Sequence, residues 1–339
     1  MGHYYFGNLF KDNDKGDKEM IQWNNGVAKI TLPTPFAVGD VNVYVIKGDR
    51  LTLVDVGPKT EEAWKALSQQ LHDLHLKPAD IEQVVLTHHH PDHAGLLDFF
   101  SDTLEVYGHP INNRWINRTD TFLAENEQFF KTTFREFGIP EIYLQFAGAV
   151  KEELKYSCNR PLTGYLVEGD SPVGLADWKV YETPGHAQSH IGLYREKDGY
   201  YIGGDHLLAH ISPNPILEPP LPGKLERPKP LLQYNDSLRK LLDVPMQLVF
   251  SGHGQEIYNK NELIHQRMAQ QHERALKVKK MLEHQPLTVF ETCKLLFPKA
   301  YQRQLPLTIS ETVAQFDYLT DLEEINISND NGILRYTAS

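Results

Sequence analysis

Residues 81–93 read IEQVVLTHHHPDH. The first half, IEQVVLT, is a short apolar, β-branched run and predicts a buried strand. The second half packs His88, His90, Asp92 and His93 into six residues directly after that strand. His88 and His90 are two apart, so an extended segment projects both to one side and sends His89 to the other. Asp92 and His93 fall where the chain turns into the next helix. Neutral imidazole and carboxylate suit borderline divalent ions such as zinc, and also iron or manganese.

The neighbouring sequence gives this segment a setting. VAKITL (27–32), VNVYVIK (41–47) and LTLVDV (51–56) predict strands, and residues 60–75 carry apolar side chains at helical spacing. LEVYG (104–108) predicts another strand. Strand, strand, helix, strand, helix, strand is the rhythm of a layered α/β protein. Residues 110–160 break it. They predict helices rich in aromatics, among them Trp115, Phe122, Phe129, Phe130, Phe134, Phe137, Tyr143 and Phe146. An insertion at that point either overhangs a site as a lid over an apolar substrate group or packs as a subdomain or dimer contact. Strands resume near 162–168, at 178–183, 191–196, 199–204 and 247–250. Between the last two lies a segment, 211–230, with seven prolines, which predicts a loop of fixed, irregular shape.

Further donors stand where those strands end. TPGHAQSH offers His186 and His190, GGDH offers Asp205 and His206, SGHG offers His253, and LVDVG offers Asp55. Glycines beside them allow tight turns and close approach to a ligand. Taken singly, each is an ordinary loop residue. Taken together, five Gly- or Pro-flanked donor motifs follow apolar runs in order, and strand ends at one sheet edge are where layered folds assemble sites.

On these motifs the chain resembles the metallo-β-lactamase-fold hydrolases, over about residues 27–258. The resemblance implies a four-layer αββα sandwich with two metals at one edge. It implies that His88, His90 and His186 hold the first metal, that Asp92, His93 and His253 hold the second, and that Asp205 bridges both. Asp55 is expected behind the ligands, orienting one of them. His190, four residues after His186, either donates a hydrogen bond to substrate or to a ligand carboxylate, or is a structural loop residue. His89 and His206 are excluded as ligands. Antibiotic-degrading relatives carry Cys where Asp205 stands, which argues against a dedicated β-lactamase. The implied chemistry is hydrolysis by a metal-bridging hydroxide, with Asp92 orienting it, on a small ester, thioester or lactone. A metal-dependent ribonuclease or phosphodiesterase is the second reading, and a mononuclear iron sulfur dioxygenase or a non-catalytic metal-binding protein stands behind it.

From about 260 the pattern changes to a long helix, two shorter helices near 288–297 and 308–322, and two alternating runs around Asn331-Gly332. This resembles the winged-helix tail of one branch of the family. The expected division is therefore 1–258, a catalytic domain with its insertion, and 259–339, a helical, winged-helix-like domain. Charge bears on the partner. The chain has 339 residues, 40% hydrophobic and 23% charged, with 34 basic against 45 acidic side chains, a net −11. Residues 286–339 hold four basic and seven acidic residues, whereas phosphate binding calls for clustered Lys and Arg. A small-molecule substrate is expected ahead of nucleic acid, with the tail structural or a homodimer contact. No apolar run approaches a membrane span, and MGHYYFGNLFKDNDKGDK at 1–18 lacks the apolar core of a secretion signal. Only two cysteines are present, Cys158 and Cys293, so a reducing cytoplasm is expected.

Overall fold

VNVYVIK at 41–47 is buried along its length except for Lys47, as a strand covered on both faces must be. In the computed structural model of the protein, which describes residues 21–148 and 153–339 and only the backbone of 145–148, this strand belongs to the first of two stacked sheets. The polar stretch at 1–18 lies outside the described residues. The first sheet runs in chain order: β1 (Val27–Leu32), β2 (Val41–Lys47), β3 (Leu51–Val54), β4 (Gln83–Leu86), β5 (Glu105–Gly108) and β6 (Gly164–Tyr165). Its first three strands are antiparallel and the rest parallel. The second sheet holds β7 (Trp178–Glu182), β8 (Ile191–Arg195), β9 (Tyr200–Gly204) and β10 (Leu248–Ser251), in the order β10-β9-β8-β7.

Three apolar layers glue the stack. Between the sheets, Tyr44, Ile46, Val54 and Val85 meet Trp178, Val180, Leu193, Ile202 and Phe250. Outside the first sheet lies the helix Glu61–Asp73, which inserts Ala63, Leu67 and Leu71. Thr60 starts this helix by accepting a hydrogen bond from the Ala63 amide. Outside the second sheet lie the helices Pro230–Leu242 and Lys260–Leu282, which contribute Leu231, Leu238, Leu241, Leu263 and Ile264. Helix, sheet, sheet, helix is the four-layer αββα arrangement expected from the motifs.

The rest of the chain forms a second core. The helix Asp120–Glu136 of the insertion supplies Phe134, and Phe137, Ile139 and Leu144 follow. They pack with side chains of Lys260–Leu282, Val289–Leu296 and Leu305–Asp321, and with Tyr336 of the final hairpin. That hairpin is β11 (Ile325–Asp330) and β12 (Ile333–Ala338). Asn331 and Gly332 close it with φ of 53° and 89°, the tight turn that an Asn-Gly pair favours. Most aromatics of the insertion are therefore spent on this core. Phe129, Phe130 and Tyr143 also pack against it, which removes them from the role of a lid. The third C-terminal helix starts at Leu305, before the expected 308, because Pro306 is tolerated in a first turn. Both cysteines are free and buried. Among the described residues no helix is long and apolar enough to cross a membrane.

Candidate metal centre

Every donor motif leaves the end of a strand at the same edge of the stack. Asp55 follows β3, the His88–His93 run follows β4, His186 follows β7, Asp205 follows β9 and His253 follows β10. The two sheets are stitched together there. Asn42 N–H donates to the Gly252 carbonyl at 2.7 Å, and Gly252 N–H to that of Gly204 at 2.7 Å. Ile191 N–H donates to the Thr87 carbonyl at 2.8 Å. Glycine is required at 252, where a Cβ would stand 2.2 Å from Asp205 Oδ1.

The side chains converge into overlapping groups. His88, His90 and His186 bring one donor atom each to within 4.8 Å of one another, and so do Asp92, His93 and His253. A third such group, His88, His93 and Asp205, joins them. Asp205 lies between the two triplets. Its Oδ1 is 3.3 Å from His93 Nε2, and its Oδ2 is 3.4 Å from His253 Nε2 and 3.6 Å from His186 Nε2. Asp92 Oδ2 is 3.3 Å from His253 Nε2. His88 Nε2 and His90 Nδ1 approach to 3.0 Å.

The opposite ring nitrogens are tied down. His93 Nδ1 donates to Asp55 Oδ2 at 2.8 Å. The Thr87 hydroxyl donates to the same oxygen at 2.7 Å, so it accepts from His88 Nδ1, 3.0 Å away. His186 Nδ1 donates to the Asn214 carbonyl at 2.9 Å, and His253 Nδ1 to that of Asp40 at 2.8 Å. In each of these four rings Nδ1 is held from behind and Nε2 is turned to the centre, as in metal-ligating histidines.

Buried polar atoms normally find hydrogen-bond partners. Here His93 Nε2, His186 Nε2, His253 Nε2 and Asp205 Oδ1 are buried and have none. Their electrostatics point the same way. Burial and the neighbouring imidazoles hold His88 and His90 well below the ordinary histidine value, so both rings are neutral. Burial alone would lower His93 too, but Asp205, Asp55 and Asp92 outweigh it and hold it well above that value. Asp205 is pushed up by burial, yet His253 and His93 more than reverse this and keep it ionised. Neutral His88 and His90 thus stand beside carboxylates whose field draws positive charge onto His93 and His253. These residues fit divalent metal ions.

His190 takes the structural one of its two expected roles. It is 1% exposed. Its Nε2 accepts from the Asp205 amide at 3.2 Å and its Nδ1 pairs with Thr183 Oγ1 at 2.8 Å. Both nitrogens are used behind the site, so His190 faces neither substrate nor a carboxylate oxygen. His89 turns away from the centre, stacks on Trp115 at 4.5 Å and shares a hydrogen bond with Ser189. His206 is fully buried beside His190 and Tyr234. Tyr194 sends its hydroxyl to the Pro245 carbonyl. Sequence reasoning misses Thr87, although it stands inside the quoted motif. The carbonyls of Asp40 and Asn214 leave no mark in a sequence, because any residue type supplies one.

Glu218, on the proline-rich segment, is a buried carboxyl next to this architecture. Its Oε1 accepts from the Gln188 amide at 2.8 Å and its Oε2 has no partner. Burial pushes it up to about 7. A carboxyl raised in the folded state binds more protons there than in the unfolded chain. Its penalty on folding is small near pH 5 and grows as pH rises through 7. Glu218→Gln keeps an acceptor for Gln188 and removes the charge. The variant's advantage over wild type in urea unfolding is expected to widen by roughly 2 kcal/mol from pH 5 to pH 8. A gap that does not change with pH contradicts this.

Comparison with known proteins agrees with the geometry. The family model of the metallo-beta-lactamase superfamily matches residues 37–253. The chain is 47% identical over 299 residues to "Probable metallo-hydrolase YqjP" of Bacillus subtilis (strain 168), covering 88% of this chain and 93% of that one. It is 25% identical over 269 residues to "Beta-lactamase-like protein 2 homolog" of Caenorhabditis elegans, covering 78% and 73%. The crystal structure of the metallo-beta-lactamase family protein TTHA1429 from Thermus thermophilus superposes with a TM-score of 0.77 at 27% identity, covering 93% of this chain and 99% of that one. A beta-lactamase domain protein from Burkholderia ambifaria has the same fold, with a TM-score of 0.74 at 22% identity and 94% of each chain covered.

Proposed function

The chain belongs to the metallo-beta-lactamase superfamily and is a metallo-hydrolase, and on that footing we propose that it works with two divalent ions on a small ester, thioester or lactone. The observation that carries the two-ion reading is the place of Asp205, whose two oxygens face histidine nitrogens of both triplets. His88, His90 and His186 would hold one ion and Asp92, His93 and His253 the other, with Asp205 shared. Zinc fits this nitrogen and oxygen set best, iron and manganese next. Bound there, such ions lower the pKa of water toward about 7 and polarise a carbonyl or phosphoryl oxygen.

The protein's own residues prepare that chemistry. The Asp55–Thr87 pair fixes the tautomers of His88 and His93, so the donor atoms need no reorganisation. Asp92 directs Oδ2 to His253, and its other oxygen would orient the attacking nucleophile. His190 holds the Asp205 backbone from behind.

Charge supports the small substrate over nucleic acid. The net charge is −11, and residues 286–339 are acidic on balance, so the polyphosphate attraction that dominates nucleic-acid binding is lacking there. The helix, helix, hairpin order after 282 favours the second reading, a winged-helix unit serving a ribonuclease or phosphodiesterase. We assign the unit a structural role instead, because its apolar face is filled by the insertion. Two buried free cysteines suit the cytoplasm. The test sets a short thioester and a fluorogenic single-stranded RNA side by side, with zinc- or manganese-reconstituted protein. Metal-dependent thioester cleavage without RNA cleavage is expected. RNA cleavage without thioester cleavage reverses the assignment.

A further inference from the structure

The C-terminal helix Leu305–Asp321 is far from His186 in sequence, yet it is only two hydrogen bonds away. The link is the strap at 213–219, stiffened by Pro213, Pro215 and Pro219. On its inner side the Asn214 carbonyl takes the Nδ1 proton of His186 at 2.9 Å, Ile216 N–H donates to the His186 carbonyl at 3.4 Å, and Glu218 takes the Gln188 amide at 2.8 Å. On its outer side Asn214 Nδ2 donates to the Leu307 carbonyl at 3.0 Å. Leu217 N–H donates to Ser310 Oγ at 3.1 Å, whose own proton goes to the Pro306 carbonyl at 2.8 Å. The same segment is clamped on either side of the strap. Arg267 of Lys260–Leu282 donates to the carbonyls of Leu208 and Ala209 at 3.0 and 3.1 Å, and Arg227 grips Asp317 with two bonds of 2.7 and 2.6 Å.

We propose that the C-terminal helix sets the ring of His186 through this strap, with Asn214 and Ser310 as positioning residues. The carbonyl of residue 214 has to sit in line with Nδ1 to keep the Nε2 lone pair on the centre. A lone carbonyl on an irregular loop has no ladder to hold it. Asn214 holds its own peptide by reaching to Leu307, and Ser310 holds the peptide three residues on. The C-terminal unit is thus part of the metal site's wall, and His186 is the donor it governs. The proposal rests on His186 being a metal ligand, as read above.

The test compares Asn214→Ala, Ser310→Ala, Ser310→Thr, His186→Ala and Lys279→Ala. Lys279 pairs with Glu324 in the same C-terminal unit, away from the strap. Zinc affinity is read by chelator competition, and the ligand field by the absorption of the cobalt(II)-loaded protein. Thermal midpoints are taken alongside. Asn214→Ala and Ser310→Ala are expected to weaken one binding step about 10-fold, the low end for loss of an outer partner, and to shift the cobalt spectrum. Ser310→Thr, which keeps the hydroxyl, restores both readouts. Lys279→Ala lowers the thermal midpoint and leaves affinity and spectrum alone. If His186→Ala loses a binding step while Asn214→Ala and Ser310→Ala bind as wild type, the strap is only structural and the proposal falls. If His186→Ala itself binds as wild type, the ligand reading fails and takes the proposal with it.

Discussion

Asp205→Ala is expected to abolish turnover and to lower metal content. Asp205 reaches donors of both triplets, with oxygens 3.3 to 3.6 Å from His93, His253 and His186. Removing it leaves His93 and His253, which its charge helps hold above the ordinary histidine value, with less negative field and no shared oxygen. Loss of an outer partner costs roughly 10–100-fold in metal affinity, and loss of a donor that faces the centre costs more. Asp205→Asn separates shape from charge. It preserves volume at the Gly252 contact but supplies neither the charge nor the second acceptor, so it also loses metal. Elemental analysis and single-turnover assays check both variants. Full metal with unchanged turnover in Asp205→Ala overturns the assignment of the site.

The second large effect is expected at Asp55. This residue sits in a left-handed conformation, φ 59°, which Asp tolerates better than most residues. Its carboxylate accepts the Thr87 amide at 2.8 Å, the Thr87 hydroxyl at 2.7 Å and His93 Nδ1 at 2.8 Å. One buried group therefore orients a histidine from each triplet without facing the centre itself. Asp55→Ala is expected to weaken metal binding by about 10–100-fold and, as an uncompensated loss from a buried network, to destabilise the fold by about 3 kcal/mol. Asp55→Asn tolerates the same backbone and still accepts from Thr87, but turns an N–H toward one partner. It should recover much of the stability and little of the affinity. Chelator competition and urea unfolding on both variants separate the two effects. Equal recovery of both contradicts the orienting role.

Much of this was legible in the sequence because the signals are local. β1 and β2 have the bounds that VAKITL and VNVYVIK mark, since short β-branched runs bounded by turn residues define their own ends. The donor motifs could be read because each follows a strand and carries its own turn residues. What could not be read depends on chain segments that meet only in space. The direction of His190 is set by Thr183 and the Asp205 amide, and nothing in TPGHAQSH distinguishes that from a ring facing substrate. The insertion's aromatics looked free to cover a pocket, because their partners, Val289, Phe316 and Tyr336 among them, lie far downstream. The strap over His186 acts through backbone carbonyls, whose positions a sequence does not display.

The central claim is that two triplets of side chains, joined by Asp205, hold two ions. The most direct test is an equilibrium titration of chelator-treated protein with zinc, counting bound ions per chain for wild type, His186→Ala and His253→Ala. Two ions for wild type and one for each variant is the predicted result. A wild type that binds none, or variants that both retain two, contradicts it.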